Sequence, residues 1–218
     1  MPERLKIKRC IRCRIPSSQQ FVGYDGFGIC KACRSSEQKM RINWTEREKK
    51  LGEILEFYKS KSQNNYDCIV PISGGKDSAY QLYVIKKIYK MKPLAVTFSH
   101  NWYTKIGREN LKNLTDRLSI DLIEFTPNRS LVNSLARESI EKIGDSCWHC
   151  HMGVDAFPLH IAVKFKIPLL IFGESVAESG KATYLDQPDY TLDYFLKHSS
   201  IVTPDKMICE NVTKKDLN

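Results

Sequence analysis

Asp67-Cys68-Ile69-Val70-Pro71-Ile72-Ser73-Gly74-Gly75-Lys76-Asp77-Ser78 opens as a short apolar run and closes in a glycine turn. An apolar run of this length with a glycine break behind it reads as a buried strand. Ala79 to Tyr89 then reads as a helix, so the turn joins a strand to a helix. The same alternation continues outward. Pro93 to Phe98, Asp121 to Phe125 and Ile167 to Phe172 read as three more strands. Gly107 to Leu118, Leu131 to Ile143 and Val154 to Phe165 read as helices, the last interrupted or started by Pro158. Strands alternating with helices predict an α/β fold with a doubly wound parallel sheet, covered on both faces. Ligands in such sheets bind at the carboxyl ends of strands. The Ser73–Ser78 turn and Gly173-Glu174-Ser175 both fall there.

Upstream, Thr45 and Glu48 read as a capping box, and Leu51, Ile54, Leu55 and Tyr58 as one buried helical stripe. Residues 1–43 carry two Cys-x-x-Cys pairs, turn-forming glycines and too few large apolar side chains for a core. They read as a small metal-stapled module. The predicted organisation is therefore a module over 1–43, a linking helix over 44–65, an α/β domain over 66–185 and a helical segment over 186–218. Within that last segment, Thr191 to His198 and the stretch from Thr203-Pro204 read as short helices, and Thr213 to Asp216 as a further helix start.

The chemistry of the central turn follows from its residue types. Gly74 and Gly75 let backbone N–H groups approach phosphate oxygens, and the following helix N-terminus adds partial positive charge. Lys76 adds a full charge, Ser73 and Ser78 add hydroxyl donors, and Asp77 suits a magnesium ion. It is not a Walker A loop. Pro71 stands where that motif needs its first glycine, and Asp77 rather than Ser or Thr follows the lysine.

Six of the eight cysteines lie in Cys-x-x-Cys pairs: Cys10/Cys13, Cys30/Cys33 and Cys147/Cys150. Sixteen residues separate the first two pairs, a spacing that lets four thiolates complete a tetrahedron around one structural zinc. Residues 1–61 hold 15 Lys and Arg against 7 Asp and Glu, most of the chain's net charge of +9. That excess is read either as a solvated helix face or as a surface for phosphate-rich partners. No apolar run is long enough to span a membrane and no secretory signal opens the chain, so the cytoplasm is the expected compartment.

Ser-Gly-Gly-Lys-Asp-Ser at 73–78 resembles the PP-loop of ATP pyrophosphatases. The resemblance implies ATP and magnesium as cofactors, with Lys76, Asp77 and Ser78 as the catalytic part of a loop that runs from Ser73 through Gly74 and Gly75. It further implies adenosine beside Thr97 and Phe98, with Gly173 and Glu174 close to the nucleotide. Over nearly the whole chain a narrower likeness holds. Cys10-Ile11-Arg12-Cys13, Tyr24-Asp25-Gly26-Phe27-Gly28-Ile29-Cys30, Asn43-Trp44, Tyr66-Asp67-Cys68-Ile69-Val70-Pro71 and Cys147-Trp148-His149-Cys150-His151 are similar in order and spacing to the N-acetyl sugar amidotransferases of bacterial O-antigen and flagellin sugar biosynthesis. That likeness implies conversion of an acetamido group to an acetamidino group, on a sugar carried by a nucleotide or a lipid. Ammonia would come from a partner glutaminase through a cyclase-like subunit. Members of that family are longer, so a C-terminal portion is expected to be missing.

Two other functions remain open. PP-loop tRNA thiolases share the loop, and some share a zinc module and three further cysteines, which would make nucleic acid a partner. Against this, Gly173-Glu174-Ser175 stands where Gly-His-Asn is expected in such a thiolase. The second is an ATP-binding scaffold without catalysis. Cys147, Cys150 and Cys209, with His149 and His151, have three readings. They are ordinary or substrate-contacting thiols, ligands of an iron–sulfur cluster, or a zinc site that uses a histidine. Trp102 and Tyr103 read as core. His100, His160 and His198 carry no site signal.

Overall fold

The computed structural model describes residues 7–19, 22–174, 191, 193–194 and 202–217. Ser175 and most of the helix expected over Thr191 to His198 lie outside them. The chain divides into two compact units. One reaches Lys49 and takes in Glu174; the other runs from Lys50 to Gly173 and takes in the C-terminal residues 202–217.

In the first unit, two short antiparallel bridges, Arg9 with Pro16 and Tyr24 with Cys30, bracket the cysteine turns. Helix α1, Lys31–Lys39, starts directly after Cys30. The Ile11 N–H donates to the Gly28 carbonyl at 3.1 Å and ties the two turns together. Asp25 shapes the second turn by accepting from the Phe27 and Ile29 N–H groups at 3.0 and 2.9 Å. Those bonds, with the Arg34 guanidinium beside it, hold its carboxyl below its ordinary range.

Helix α2, Trp44–Lys61, begins two residues earlier than a cap at Thr45 implies. The Glu46 N–H donates to Asn43 Oδ1 at 3.2 Å, so Asn43 is the capping side chain. Of the apolar stripe, Leu55 alone is buried, while Leu51 and Ile54 stay exposed.

The second unit holds a parallel sheet of three strands: β1, Cys68–Pro71; β2, Pro93–Phe98; and β3, Leu122–Phe125, in the order β1-β2-β3. The expected fourth strand is reduced to a single parallel bridge between Leu170 and Ile69. The Ile69 N–H donates to Leu169 O at 2.8 Å and the Ile171 N–H to Ile69 O at 2.9 Å. This segment therefore lies along the edge of β1 away from β2.

Strand side chains alternate between the two faces. Cys68, Val70, Ile72 and Ala95 pack with Leu55, Leu82, Ile85, Leu111 and Leu118. The last four belong to the stretches that follow β1 and β2: α3, Lys76–Tyr83, its continuation Val84–Ile88, and α4, Lys105–Leu118. Ile69, Leu94 and Val96 face the other way, onto Ile161 of α6, Trp148–Phe165, and onto Ile167. Both faces are thus covered, as continuous apolar strands require. Between β3 and α6 runs α5, Arg129–Ile143, capped by Asn128 and closed by Gly144 in the left-handed conformation. No helix among the described residues is long and apolar enough to cross a membrane.

The helices depart from the expected pattern in three places. Val84–Ile88 is a π-helical turn rather than a simple extension of α3. Helix α6 begins at Trp148, six residues before Val154, and runs through Pro158. Its start is held by tertiary contacts of Trp148, which packs with Leu135, Met207 and Val212 and donates from Nε1 to Val202 O at 3.0 Å. The stretches after Pro204 and Thr213 are short 3-10 turns, Pro204–Met207 and Lys214–Leu217.

Gly153 of α6 is where the helix meets the sheet end most closely. A Cβ there would lie 2.2 Å from the Phe98 ring. Gly153→Ala is expected to lower stability by about 1–3 kcal/mol through this overlap. Urea unfolding should show a lower midpoint at an unchanged slope; an unchanged midpoint would mean that α6 stands off from β2.

Candidate functional site

The Ser73–Ser78 loop leaves the carboxyl end of β1 and enters α3, with Gly75 as N-cap residue in extended conformation. Gly74 sits at φ +78°, and a Cβ on it would stand 2.9 Å from the Gly107 carbonyl oxygen and 3.1 Å from the Leu111 nitrogen. A side chain is excluded twice there, by backbone conformation and by space. The loop is braced internally. The Ser73 N–H donates to Ser78 Oγ at 3.3 Å, the Gly75 N–H to Ser73 Oγ at 3.3 Å, and Ser78 Oγ to the Gly75 carbonyl at 3.2 Å. Lys76 Nζ lies 2.6 Å from Asp77 Oδ1, and both side chains are open to solvent. The free N–H groups of the first turn of α3 and the Lys76 ammonium together make an anion-attracting end.

An open cleft of about 540 Å³ starts at this loop and runs between α3 and α4. Lys76, Ala79 and Tyr83 line it from α3; Asn110, Asn113, Leu114 and Arg117 line it from α4. Both sets follow helical spacing, so each is one stripe of its helix.

The neighbouring strand ends behave differently. Thr97 is 2 % exposed and its hydroxyl donates to the Ile72 carbonyl. Phe98 packs among Phe125 and Phe157 and against Gly153. Of these two side chains, expected beside adenosine, Thr97 is buried and Phe98 is half-buried in an aromatic cluster. Gly173 is held close to α3: Gln81 Nε2 donates to Ile171 O at 2.7 Å, and a Cβ on Gly173 would meet Gln81 Oε1 at 2.6 Å. Glu174 is exposed and groups with the first unit.

After β2 the chain builds a cluster that periodicity did not indicate. Buried Ser99 accepts from Arg108 Nη2 at 3.0 Å, and Arg108 also pairs with Glu124. The Arg108 guanidinium lies 4.6 Å from the centre of the Tyr103 ring. His100 stacks on Tyr103 with ring centres 4.5 Å apart. Trp102, expected in the core, is 45 % exposed and meets His149 edge to face at 5.1 Å.

His149 and His151 part company here. His151 is exposed, with Nε2 3.9 Å from Asp145 Oδ2. His149 is 5 % exposed, and neither ring nitrogen makes a hydrogen bond of good geometry. Burial, then the charge of His100, lowers its pKa; the opposing pull of the Ser146 carbonyl is the weakest influence on it. Cys150 sits in the first turn of α6, where burial and then the adjacent Cys147 push its thiol up to about 12. Cys209 packs in the cluster of Met207, Val212, Leu135 and Trp148, beside the Glu138 carboxylate. Cys147, Cys150 and Cys209 do not form one of the metal-sized groups found among the described residues.

Cys10, Cys13, Cys30 and Cys33 do form such a group. Their sulfurs all lie within 4.8 Å of one another, with Cys10 to Cys33 at 3.9 Å and Cys13 to Cys30 at 3.5 Å. A tetrahedron of thiolates at about 2.3 Å from zinc has edges of about 3.8 Å, so the four residues fit that ion. The Cys30 N–H donates to Cys10 Sγ at 3.3 Å. Burial opposes ionisation of Cys10, but N–H groups of Cys13, Cys30 and Arg12 outweigh it and bring the thiol down to about 6. Cys33 is pushed up to about 12, by burial and then by proton sharing with Cys13, Cys30 and Cys10. Without a cation the four cannot all ionise; a metal ion would displace their protons.

No protein-family profile matches the chain. Two uncharacterized proteins of Methanocaldococcus jannaschii are similar to it. One is 30 % identical over 133 residues, covering 61 % of this chain and 46 % of the relative. The other is 27 % identical over 136 residues, covering 62 % and 51 %. The chain spans about half the length of these curated relatives.

Cys30→Ser is expected to abolish metal retention and to unfold the first unit, which has little apolar core to replace the ion. In wild-type protein, elemental analysis should find one zinc per chain. Metal retention should fall as pH falls, because protons compete for the thiolates. Freshly purified protein without zinc would defeat the assignment.

Proposed function

We propose that this chain is an ATP-dependent amidotransferase of the PP-loop ATP pyrophosphatase type. In this reading it converts the acetamido group of an N-acetylated sugar to an acetamidino group and releases AMP and pyrophosphate. The observation that carries the proposal is the Ser73–Ser78 loop, with its left-handed Gly74, its Gly75 N-cap and its exposed Lys76 at a helix start. Its position adds support. The Leu170 segment and β2 flank β1 on opposite sides, and their covering helices lie on opposite faces. That arrangement supports reading the sheet as doubly wound, and in such sheets ligands gather where the winding reverses.

The chemistry needs few protein groups. An amide oxygen is a poor leaving group, so it must be activated. It attacks the α-phosphorus, the bond to the β-phosphate oxygen breaks, and pyrophosphate leaves with the bonding electrons. The loop N–H groups and Lys76 stabilise the charge that grows on it. Asp77 would help hold magnesium once it releases Lys76. Ammonia then adds to the adenylated carbon, and AMP leaves with the former amide oxygen. Because the Thr97 side chain is buried, the base would rest on the backbone leaving β2 and on the half-buried Phe98 ring. Ammonia would be delivered by a separate glutaminase and a channel subunit.

A second reading, sulfur transfer to tRNA, is favoured by one observation, the cationic excess of the cysteine module and its linking helix.

Turnover with ATP, ammonium and nucleotide-linked N-acetyl sugars should yield AMP, pyrophosphate and a cationic product lighter by about one dalton. Lys76→Ala should slow AMP formation by about 10²–10³. Release of ADP and phosphate would refute the loop assignment, and thiolation of tRNA with no action on sugars would favour the second reading.

A further inference from the structure

The buried ring of His149 has a cost that its surroundings do not offset. An unsatisfied buried polar group gives up its hydration without return, and both nitrogens of this ring lack a partner. His149 is the buried histidine of the described residues, and its position is specific. It stands in the first turn of α6, against Trp102, four residues past the end of β2. The Ser73–Ser78 loop leaves the next strand, β1, at the same end of the sheet. Beside the ring, Trp102 offers a half-open indole, and the His100–Tyr103 stack adjoins it.

We propose that His149 and Trp102 form the seat for a secondary amide, the acetamido group of the acceptor. This inference rests on the amidotransferase reading and names the residues that would select its acceptor. A neutral imidazole has one N–H donor and one nitrogen acceptor; a secondary amide has one acceptor and one N–H donor. The two inventories complement each other. Trp102 supplies an apolar wall for the acetyl methyl, with its exposed edge as the way in. When the imidazole nitrogen accepts the amide N–H, electron density shifts toward the carbonyl oxygen that must attack phosphorus. His149 then contributes through a hydrogen bond made to substrate, and the cost of its isolation is recovered only with the acceptor bound. An ester at the same position presents no donor and leaves the acceptor nitrogen unpaired, while a sugar hydroxyl can donate to it but brings no acetyl group to the Trp102 wall.

The test uses the full-length protein and two probes, UDP-N-acetylglucosamine and UDP-glucose, which differ in the acetamido group. Binding is measured without turnover by isothermal titration, and kinetics are measured separately. Wild type should prefer the acetamido probe. His149→Leu should erase that preference and lower kcat/KM for the acceptor by about 10² or more, with KM for ATP within twofold of wild type. His149→Asn, which keeps one donor and one acceptor function, should recover part of the preference. Thermal unfolding separates this from a structural role: His149→Leu removes unsatisfied atoms, so its Tm should be unchanged or higher. A lower Tm with the preference intact, or a wild type blind to the acetamido group, would overturn the proposal. Failure of the reaction reading looks different: the acetamido preference persists, sensitive to His149, while no AMP forms.

Discussion

At Gly74 the backbone turns with φ +78° so close to the start of α4 that no side chain fits. Much of the second unit depends on that approach. It lets β1 pass into α3 in a single turn and sets the first turn of α3 at the end of the sheet. It also brings Gly107 and Leu111 down onto the loop, which draws α4 alongside α3 and creates the cleft between them. The serine hydroxyls then close the loop on itself, so its shape is maintained by bonds of its own. A loop organised in this way before ligand arrives loses little freedom on binding.

The two units are stabilised by different physics. In the second, β1 and β2 send alternate side chains into two apolar layers, and burial on both faces supplies the driving force. Among its described residues the first has Cys10 and Cys30 at its centre and little else that is apolar and buried. Its turns are held by hydrogen bonds to Asp25 and to the Cys10 sulfur, and a cation that replaces thiol protons would add to their stability. A small segment that cannot bury enough surface commonly depends on such a staple.

The strand ends show a division between packing and chemistry. Thr97 and Phe98 fall at the end of β2, where a nucleotide is expected; Thr97 is buried on the Ile72 carbonyl, while Phe98 is half-buried among Phe125 and Phe157. The polar and aromatic groups that remain available come from the next few residues, Ser99 to Tyr103, and from the start of α6. Arg108 locks this segment by reaching Ser99, Glu124 and the Tyr103 ring at once.

Features with a local cause were legible in the residues alone. The apolar run before Ser73, the glycines behind it and the two Cys-x-x-Cys turns each state their structure within a few positions, because strand burial, turn geometry and ligand spacing are short-range constraints. Capping was decided by the structure: Asn128 and Thr104 cap α5 and α4, and Asn43 takes the place expected for Thr45 at the start of α2. What lay beyond reach depended on partners distant in the chain. Helix α6 starts early because Trp148 finds Leu135, Met207 and Val212, and it tolerates Pro158 inside a packed layer. The fourth strand shrinks to one bridge because only Ile69 meets it in register. Cys209 joins the cluster of Trp148, Met207 and Val212 without completing a metal-sized group with Cys147 and Cys150. Whether His149 is a paired core residue or an open hydrogen-bonding group is likewise a property of its surroundings. Sequence spacing sets which residues can be neighbours within one element, while only the packing of elements against one another decides which polar groups are left without a partner.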